Sequence, residues 1–448
     1  MAPLGQPTPP TSPASGRLLA LRYRDFRLIW AAQLATTIGL QMQTIAVNWH
    51  IYTLLRDVPS SFTILGIELN IGALGLGGLG LVRWLPLLPF GIVGGLLADT
   101  RNRRHLLMVT QAIGALFAAL LAWSAFTERA TVSTIYAVIA ALTALSAVES
   151  PARESIVPNL VPRAQLTNAI SLVMMTNVIA TISGPAISAY LLETGPIGMI
   201  YALHAASYLP ALVALALMRY SGAVAQSQSR ISLNYLLDGF RFTFRTPMIR
   251  STMLVDFFAT VLGSARTLLP IVAEQGLGIG AGGYGLLATA QPFGSLIAGT
   301  LASMRRDIVR QGALFLVCIA IYGLGTAFFG LSTFFALSYL LFATTGAADT
   351  LSSIIRGTIR QMWTPDVLRG RMVGVNMIFF MGGPQLGEVR AGIVAAAVGA
   401  PLAIVSGGIA AALVALWAAW RDPALRHYTS DMGYAAVRAE GNVDLRST

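Results

Sequence analysis

Long apolar stretches, each cut off by arginine, glycine or proline, recur along the whole of this 448-residue chain. About 20 apolar residues in a helix cross the ~30 Å hydrocarbon layer of a bilayer. In that layer only helices and closed barrels satisfy their own backbone groups. Divided at their punctuation, the apolar stretches predict twelve spans, near 27–50, 73–97, 105–126, 132–150, 167–191, 197–218, 251–273, 283–303, 311–330, 333–353, 372–395 and 401–420. Segment 56–72 is left over, and either lengthens the second span or forms an outer loop. The chain is 55% apolar and 11% charged, where soluble domains carry about 25% charged residues. An all-α membrane protein is expected.

The arginines fix the expected orientation. Lysine is absent, so the topology signal is an arginine count. One side collects Arg101, Arg103 and Arg104, then Arg153 and Arg163, then Arg219, Arg230, Arg241, Arg245 and Arg250. The same side takes Arg305, Arg306 and Arg310, and Arg356, Arg360, Arg369 and Arg371; the other holds Arg56 and Arg129. Basic loops mark the cytoplasmic face, so both termini are expected inside a bacterial cytoplasmic (inner) membrane. The net charge of +11 thus reads as topology, with the lipid bilayer as partner and not nucleic acid. Residues 1–16 are uncharged and rich in Pro, Ser and Thr, which predicts a disordered tail without a cleavable signal.

Residues 94–104 read GGLLADTRNRR, an apolar helix end closed by one Asp and then three Arg. Several features of the first half return about 200 residues later. GLLAD at 95–99 has an echo in GTLAS at 299–303, Glu149 in Asp349, Pro162 in Pro365, and Gly184–Pro185 in Gly383–Pro384. Four matches in order indicate a duplication. The 94–104 string resembles the loop between helices 2 and 3 of the major facilitator superfamily, with Thr100 and Asn102 departing from its pattern. TPDVLRGRMVGVNM (364–377) and GPQLGEVRAG (383–392) are similar to its enterobactin-exporter-like, or transmembrane secretion effector, branch. The resemblance covers roughly residues 20–420. It implies two pseudo-symmetric six-helix bundles, at 17–218 and 251–420, joined by a cytoplasmic linker at 219–250 and followed by a tail at 421–448. It also implies secondary transport by alternating access about a site between the bundles. Members of the branch are commonly exporters of siderophores or drugs, so proton-coupled export of a small molecule is the expectation. Uptake of a small metabolite or lysophospholipid is the alternative.

Gates and coupling sites follow as expectations. The resemblance implies that Asp99 latches the inner face against the start of span 11, near Gly370 and Arg371, since helix N-termini favour carboxylates. Arg103 or Arg104 would pair with Glu149. A topogenic loop with incidental surface pairs is the plainer reading. Charges inside spans cost about 2.5–3.5 kcal/mol each, which makes them functional candidates. Arg83 precedes Asp99, and Glu388 follows Arg371, by about 24–25 Å of helix at 1.5 Å per residue. Both fall in the outer third of neighbouring spans, so an Arg83–Glu388 outer latch is expected, with Arg390 competing for Glu388. Snorkelling or local pairing is the alternative. Asp256 is the candidate proton carrier, or else an interfacial Asp near Arg250.

Substrate contacts are expected from Gln33, Gln41 and Asn48 on one face of span 1, with Asn177 and the intramembrane Arg266. Helix–helix hydrogen bonding is an equal reading of the span 1 amides. Trp49 and His50 are expected at the outer interface. Gly184–Pro185 and Gly383–Pro384 predict kinks, either for export or for plain packing. Cys318 stands alone, and no paired His ligands, nucleophile motif, phosphate loop or ion filter occurs in the sequence. No cofactor or metal is implied, an enzyme or channel is disfavoured, and a monomer suffices.

Overall fold

The computed structural model describes residues 18–58, 62–64, 67–222, 233–304, 308–365 and 368–432. The expected disordered tail at 1–16, Arg230, Arg305 and Arg306 lie outside these residues. Helices α1 (Arg24–Leu55), α2 (Ile71–Thr100), α3 (Arg103–Phe126), α4 (Val132–Leu160), α5 (Leu166–Thr194) and α6 (Ile197–Leu217) make one half. Helix α7 (Leu233–Arg245) lies in the linker. The second half holds α8 (Pro247–Gly263), the one-turn α9 (Leu269–Ile271), α10 (Gly280–Ala288), α11 (Ala290–Met304), α12 (Gln311–Leu331), α13 (Phe335–Met362), α14 (Arg369–Val398) and α15 (Ala400–Arg421). The short α16 (Pro423–Arg426) follows.

Among the described residues, eight helices are long and apolar enough to cross a membrane on length and composition. Three more spans, α1, α13 and α14, are diluted by polar side chains on their inner faces, and the α10–α11 span is divided at Thr289. Other features depart from the expected spans too, among them α4, which runs on to Leu160 and so carries Arg153 as a helix residue. Segment 56–72 holds an antiparallel hairpin, β1 (Phe62–Ile64) on β2 (Ile67–Leu69), with Phe62 opposite Leu69. Asn70 then starts α2 by accepting a hydrogen bond from the Ala73 N–H at 3.0 Å. The seventh span is not one helix: α8 stops at Gly263, and a 3-10 turn (Arg266–Leu268), α9 and a π-turn (Val272–Gly276) follow. The helix breaks at Ser264, which is extended, and Pro270, which has no N–H for a helix bond, falls in the first turn of α9. Helix α13 outlasts its expected end by two turns, so Arg356 and Arg360 are helix residues, not loop charges.

The halves meet where α2 packs on α14 and α5 on α10. At the end bearing the hairpin, one hydrophobic core runs through both halves, including Leu76 and Trp49 with Leu268 and Tyr284. At the opposite, basic end each half keeps its own core, around Phe26 and Ile156 in one and Phe315 and Ile355 in the other. The pair is therefore sealed at the hairpin end and parted at the basic end.

The seal depends on glycine. A Cβ on Gly392 of α14 would lie 2.4 Å from the Gly77 Cα of α2, and a Cβ on Gly77 would lie 2.7 Å from the Gly392 Cα. Further bonds cross the same seam: Thr267 Oγ1 donates to Leu76 O at 2.8 Å, and the Asn70 N–H donates to Ala396 O at 2.9 Å. Trp49 and His50 belong to this interior and not to an outer interface. Trp49 stacks on Tyr284 of the other half with centroids 5.6 Å apart, and His50 Nδ1 lies 3.1 Å from the Tyr201 hydroxyl.

Candidate functional site

Between the halves lies a cavity of about 570 Å³, bordered by α1, α2, α4, α8, α11, α12, α13, α14 and the break after α8. Helices α8 and α13 each contribute a charge to its wall: Asp256 and Arg356 form an ion pair, both buried. Arg356 is further held by donating to Ser353 Oγ at 3.0 Å, one turn back on α13. The second carboxylate oxygen of Asp256 has no hydrogen-bond partner among the described residues. The expectation of Asp256 as an interfacial cap near Arg250 is thereby set aside; Arg250 donates to Phe244 O instead. The Coulomb energy of two such charges far exceeds its value in water. The pair persists because removing either partner would strand the other in the membrane interior.

Towards the sealed end, Arg83 Nη1 lies 3.5 Å from Glu388 Oε2. The other Arg83 nitrogen donates to Asn48 Oδ1 at 3.4 Å. Three spans, α1, α2 and α14, are thus tied at one point. Arg390 does not reach Glu388. Its guanidinium donates to Leu262 O at 2.7 Å and Ala403 O at 3.4 Å, both in its own half, because it leaves α14 on the face that meets α8 and α15.

Arg266 sits in the irregular backbone after α8 and is exposed to the cavity. Its Nε donates to Gln291 Oε1 at 2.8 Å, and Gln291 Nε2 donates to Thr345 Oγ1 at 2.9 Å. Asp349, one turn beyond Thr345, is half-buried and also borders the cavity. Gln41 lines the cavity as expected. Gln33 does not. It borders a separate small pocket in the first half with Gln111, Glu149 and Arg153, because α1 turns that face toward α3, α4 and α6. Asn177 lies on the exposed face of α5 and bonds back to Val173 O at 3.4 Å, so it is no cavity contact.

The basic end differs from expectation. Asp99 is half-exposed and makes no hydrogen bond or ion pair among the described residues. Arg371 pairs with Asp238 of the linker helix α7 at 3.1 Å. Neither Arg103 nor Arg104 meets Glu149. Arg103 donates to Ala98 O (3.1 Å) and Ser155 O (3.2 Å), and Arg104 to Leu215 O (2.7 Å) and Ala216 O (3.0 Å). Ala98, Leu215 and Ala216 lie in the last turns of α2 and α6, where carbonyls are unsatisfied and attract cations, and guanidinium forks take two at once. Glu149 binds within its half, to Arg153 at 3.1 Å and Gln111 at 2.9 Å. Asn102, which stands where the motif has Gly, caps α3 by accepting from the His105 N–H at 3.1 Å and donates to Ser221 O at 2.7 Å.

Both Gly-Pro pairs lie inside unbroken helices at matching crossings. A Cβ on Gly184 would sit 2.5 Å from the Gln41 Cβ of α1, and one on Gly383 would sit 2.6 Å from the Thr260 Oγ1 of α8. Neither proline interrupts its helix: α5 continues through Pro185 and α14 through Pro384.

Sequence reasoning missed the roles of Arg356, Asp349 and Gln291. A signal existed in α13: residues 345, 349, 352 and 356 place polar groups at helical spacing along one face of an apolar span.

A family model described as "Transmembrane secretion effector" matches residues 15–438. Among proteins of similar sequence is the enterobactin exporter EntS of Escherichia coli O1:K1, 25% identical over 353 residues, covering 78% of this chain and 80% of that protein. The EntS of Citrobacter koseri matches to the same extent. Among solved structures, an inward-facing, unoccupied bacterial homolog of the human lysosomal transporter Spinster superposes with a TM-score of 0.67 at 15% identity, over 90% of this chain and 98% of that one. A POT family transporter in complex with a thioalcohol-conjugated peptide gives 0.66 at 11% identity, over 88% and 96%. At such identities the structural likeness is one of fold alone.

Proposed function

Because this chain belongs to the transmembrane secretion effector family of major facilitator transporters, we propose that it exports a small molecule by proton-coupled alternating access. The membrane is a bacterial inner membrane, and the arginine bias supports a cytoplasmic placement of the basic end. The substrate is drug-like or siderophore-like, a reading supported by the name of the EntS relatives. The observation that carries the proposal is the buried Asp256–Arg356 pair in the wall of a cavity that one end of the molecule seals.

The conformation described is the inward-open one. Arg83, Glu388 and Asn48 latch the outer end, together with the Gly77–Gly392 crossing. Asp99 is the inner latch, unengaged here, and docks on the α14 N-terminus near Arg371 when the basic ends close. A proton reaching Asp256 from outside neutralises its carboxylate and frees Arg356 from the pair. That changes the charge in the cavity wall as substrate leaves. Inward proton flow supplies about 2.3 kcal/mol per charge for each 100 mV of potential.

Everted vesicles containing the protein test this. A toxic compound first identified by screening an efflux-deficient host should accumulate when the vesicles are energised, and a protonophore should abolish the accumulation. Accumulation indifferent to the protonophore would remove proton coupling; uptake by right-side-out vesicles in its place would reverse the direction.

A further inference from the structure

Three arginines and two aspartates border the cavity: Arg83, Arg266, Arg356, Asp256 and Asp349. Arg356 is matched by Asp256, and Arg83 by Glu388. Arg266 and Asp349 remain. Among the described residues neither is within ion-pair distance of an opposite charge, and both face the same space. Arg266, a cavity-lining residue, is braced through its Nε by Gln291, and its two terminal nitrogens make no hydrogen bond among the described residues. Gln291 is braced in turn by Thr345, one turn of α13 from Asp349. The positive site is thereby linked, through Gln291, to the helix that bears the negative one, on which Thr345 and Asp349 stand about 6 Å apart along the axis.

Two unpaired opposite charges in a membrane interior are each costly, and a direct pair between them would lower that cost. Holding them apart leaves a positive and a negative station within reach of one small molecule. We infer that the substrate is zwitterionic, its acidic group bound by Arg266 and its basic group by Asp349. This rests on the export reading and sharpens it. Proton loading stays with Asp256, on the same cavity wall, and the zwitterion site decides what is recognised.

The test uses the purified full-length protein in liposomes with three fluorescent probes of one scaffold. These are ciprofloxacin, its methyl ester (no carboxylate) and its N-acetyl derivative (no ammonium). Counterflow at zero gradient reads recognition. Ciprofloxacin should be exchanged, and each singly charged analogue should be weaker by about tenfold or more, the scale of one charged hydrogen bond. Arg266→Gln should abolish the difference between ciprofloxacin and the ester only, and Asp349→Asn the difference between ciprofloxacin and the N-acetyl form only. The analogue series on the unaltered protein does not depend on whether the variants fold. Equal exchange of all three probes, preference for a singly charged one, or no exchange of any overturns the assignment. An imposed pH gradient then separates the two readings. Selective counterflow that no gradient can drive retains the zwitterion site and removes proton coupling, whereas gradient-driven transport of all three alike does the reverse.

Discussion

Adding one methyl group at Gly392 should move this protein out of the conformation that is sealed at its hairpin end. A Cβ there would lie 2.4 Å from the Gly77 Cα, 2.9 Å from the Gly77 N and 2.8 Å from the Ala73 O. Carbon atoms attract best at about 3.5–4.0 Å, so α2 and α14 would have to part by roughly 1 Å or more at their crossing. The obstacle is backbone on both sides and cannot rotate away. Overpacking of this kind costs about 1–3 kcal/mol. Because the contact is made between the halves, the cost falls on the state with its hairpin end sealed. At 1.4 kcal/mol per factor of ten, Gly392→Ala should raise the share of molecules open at the hairpin end by about 5- to 150-fold. The single cysteine, Cys318, is buried, which makes Cys318→Ser a convenient background. In it, Thr267→Cys provides a reporter, since Thr267 is 1% exposed in the seam and bonds to Leu76 of the other half. Labelling of this cysteine by an impermeant maleimide from the outer side should quicken in proportion to the shift. Gly91→Ala is the control, because a Cβ there meets nothing within 4 Å. An unchanged labelling rate with Gly392→Ala, or an equal change with Gly91→Ala, would refute the reasoning.

Asp256→Asn should abolish proton-driven transport but preserve exchange, and should lower thermal stability more than Asp256→Asn combined with Arg356→Gln. Leaving a buried charge unpaired costs about 3–5 kcal/mol, so melting of the two variants decides the structural part. Exchange without coupling in vesicles decides the functional one. Alanine at Arg83 or at Glu388 should loosen the outer end and raise the same maleimide labelling. A charge swap, Arg83→Glu together with Glu388→Arg, that fails to restore transport lost in either single variant counts against a latch. Asp99→Asn should leave the melting of the state sealed at the hairpin end unchanged, since Asp99 bonds to nothing described there. It should nevertheless slow transport by disfavouring inner closure, on the scale of about 0.3–2 kcal/mol for a carboxylate at a helix N-terminus. Equal transport by the variant and the parent would dismiss the inner latch. Asn102→Ala should cost about 0.5–2 kcal/mol through the lost α3 cap, read as a lower melting temperature.

Span positions, the duplication and the depth of Arg83 and Glu388 were legible because each depends on distance along a helix. A rise of 1.5 Å per residue converts sequence separation into membrane depth, and that arithmetic put two charges at one level that the structure brings to 3.5 Å. Direction around the helix was not legible. Gln33 and Gln41 share one span, yet Gln33 faces its own bundle and Gln41 the cavity. Arg390 lies two residues from Glu388 and points to Leu262. Arg356 reads as a loop charge in the sequence because its partner, Asp256, is 100 residues away and nothing local announces the pair.

The amino-acid order alone settled that this chain must lie in a membrane as two related sets of helices. Water-excluding length, arginine placement and internal repetition are properties of the unfolded string. Tertiary structure alone decided which charges meet, which remain apart and which end of the molecule is shut. Those depend on rotation and contact between helices distant in sequence, where a shift of one methyl group separates a seal from a clash.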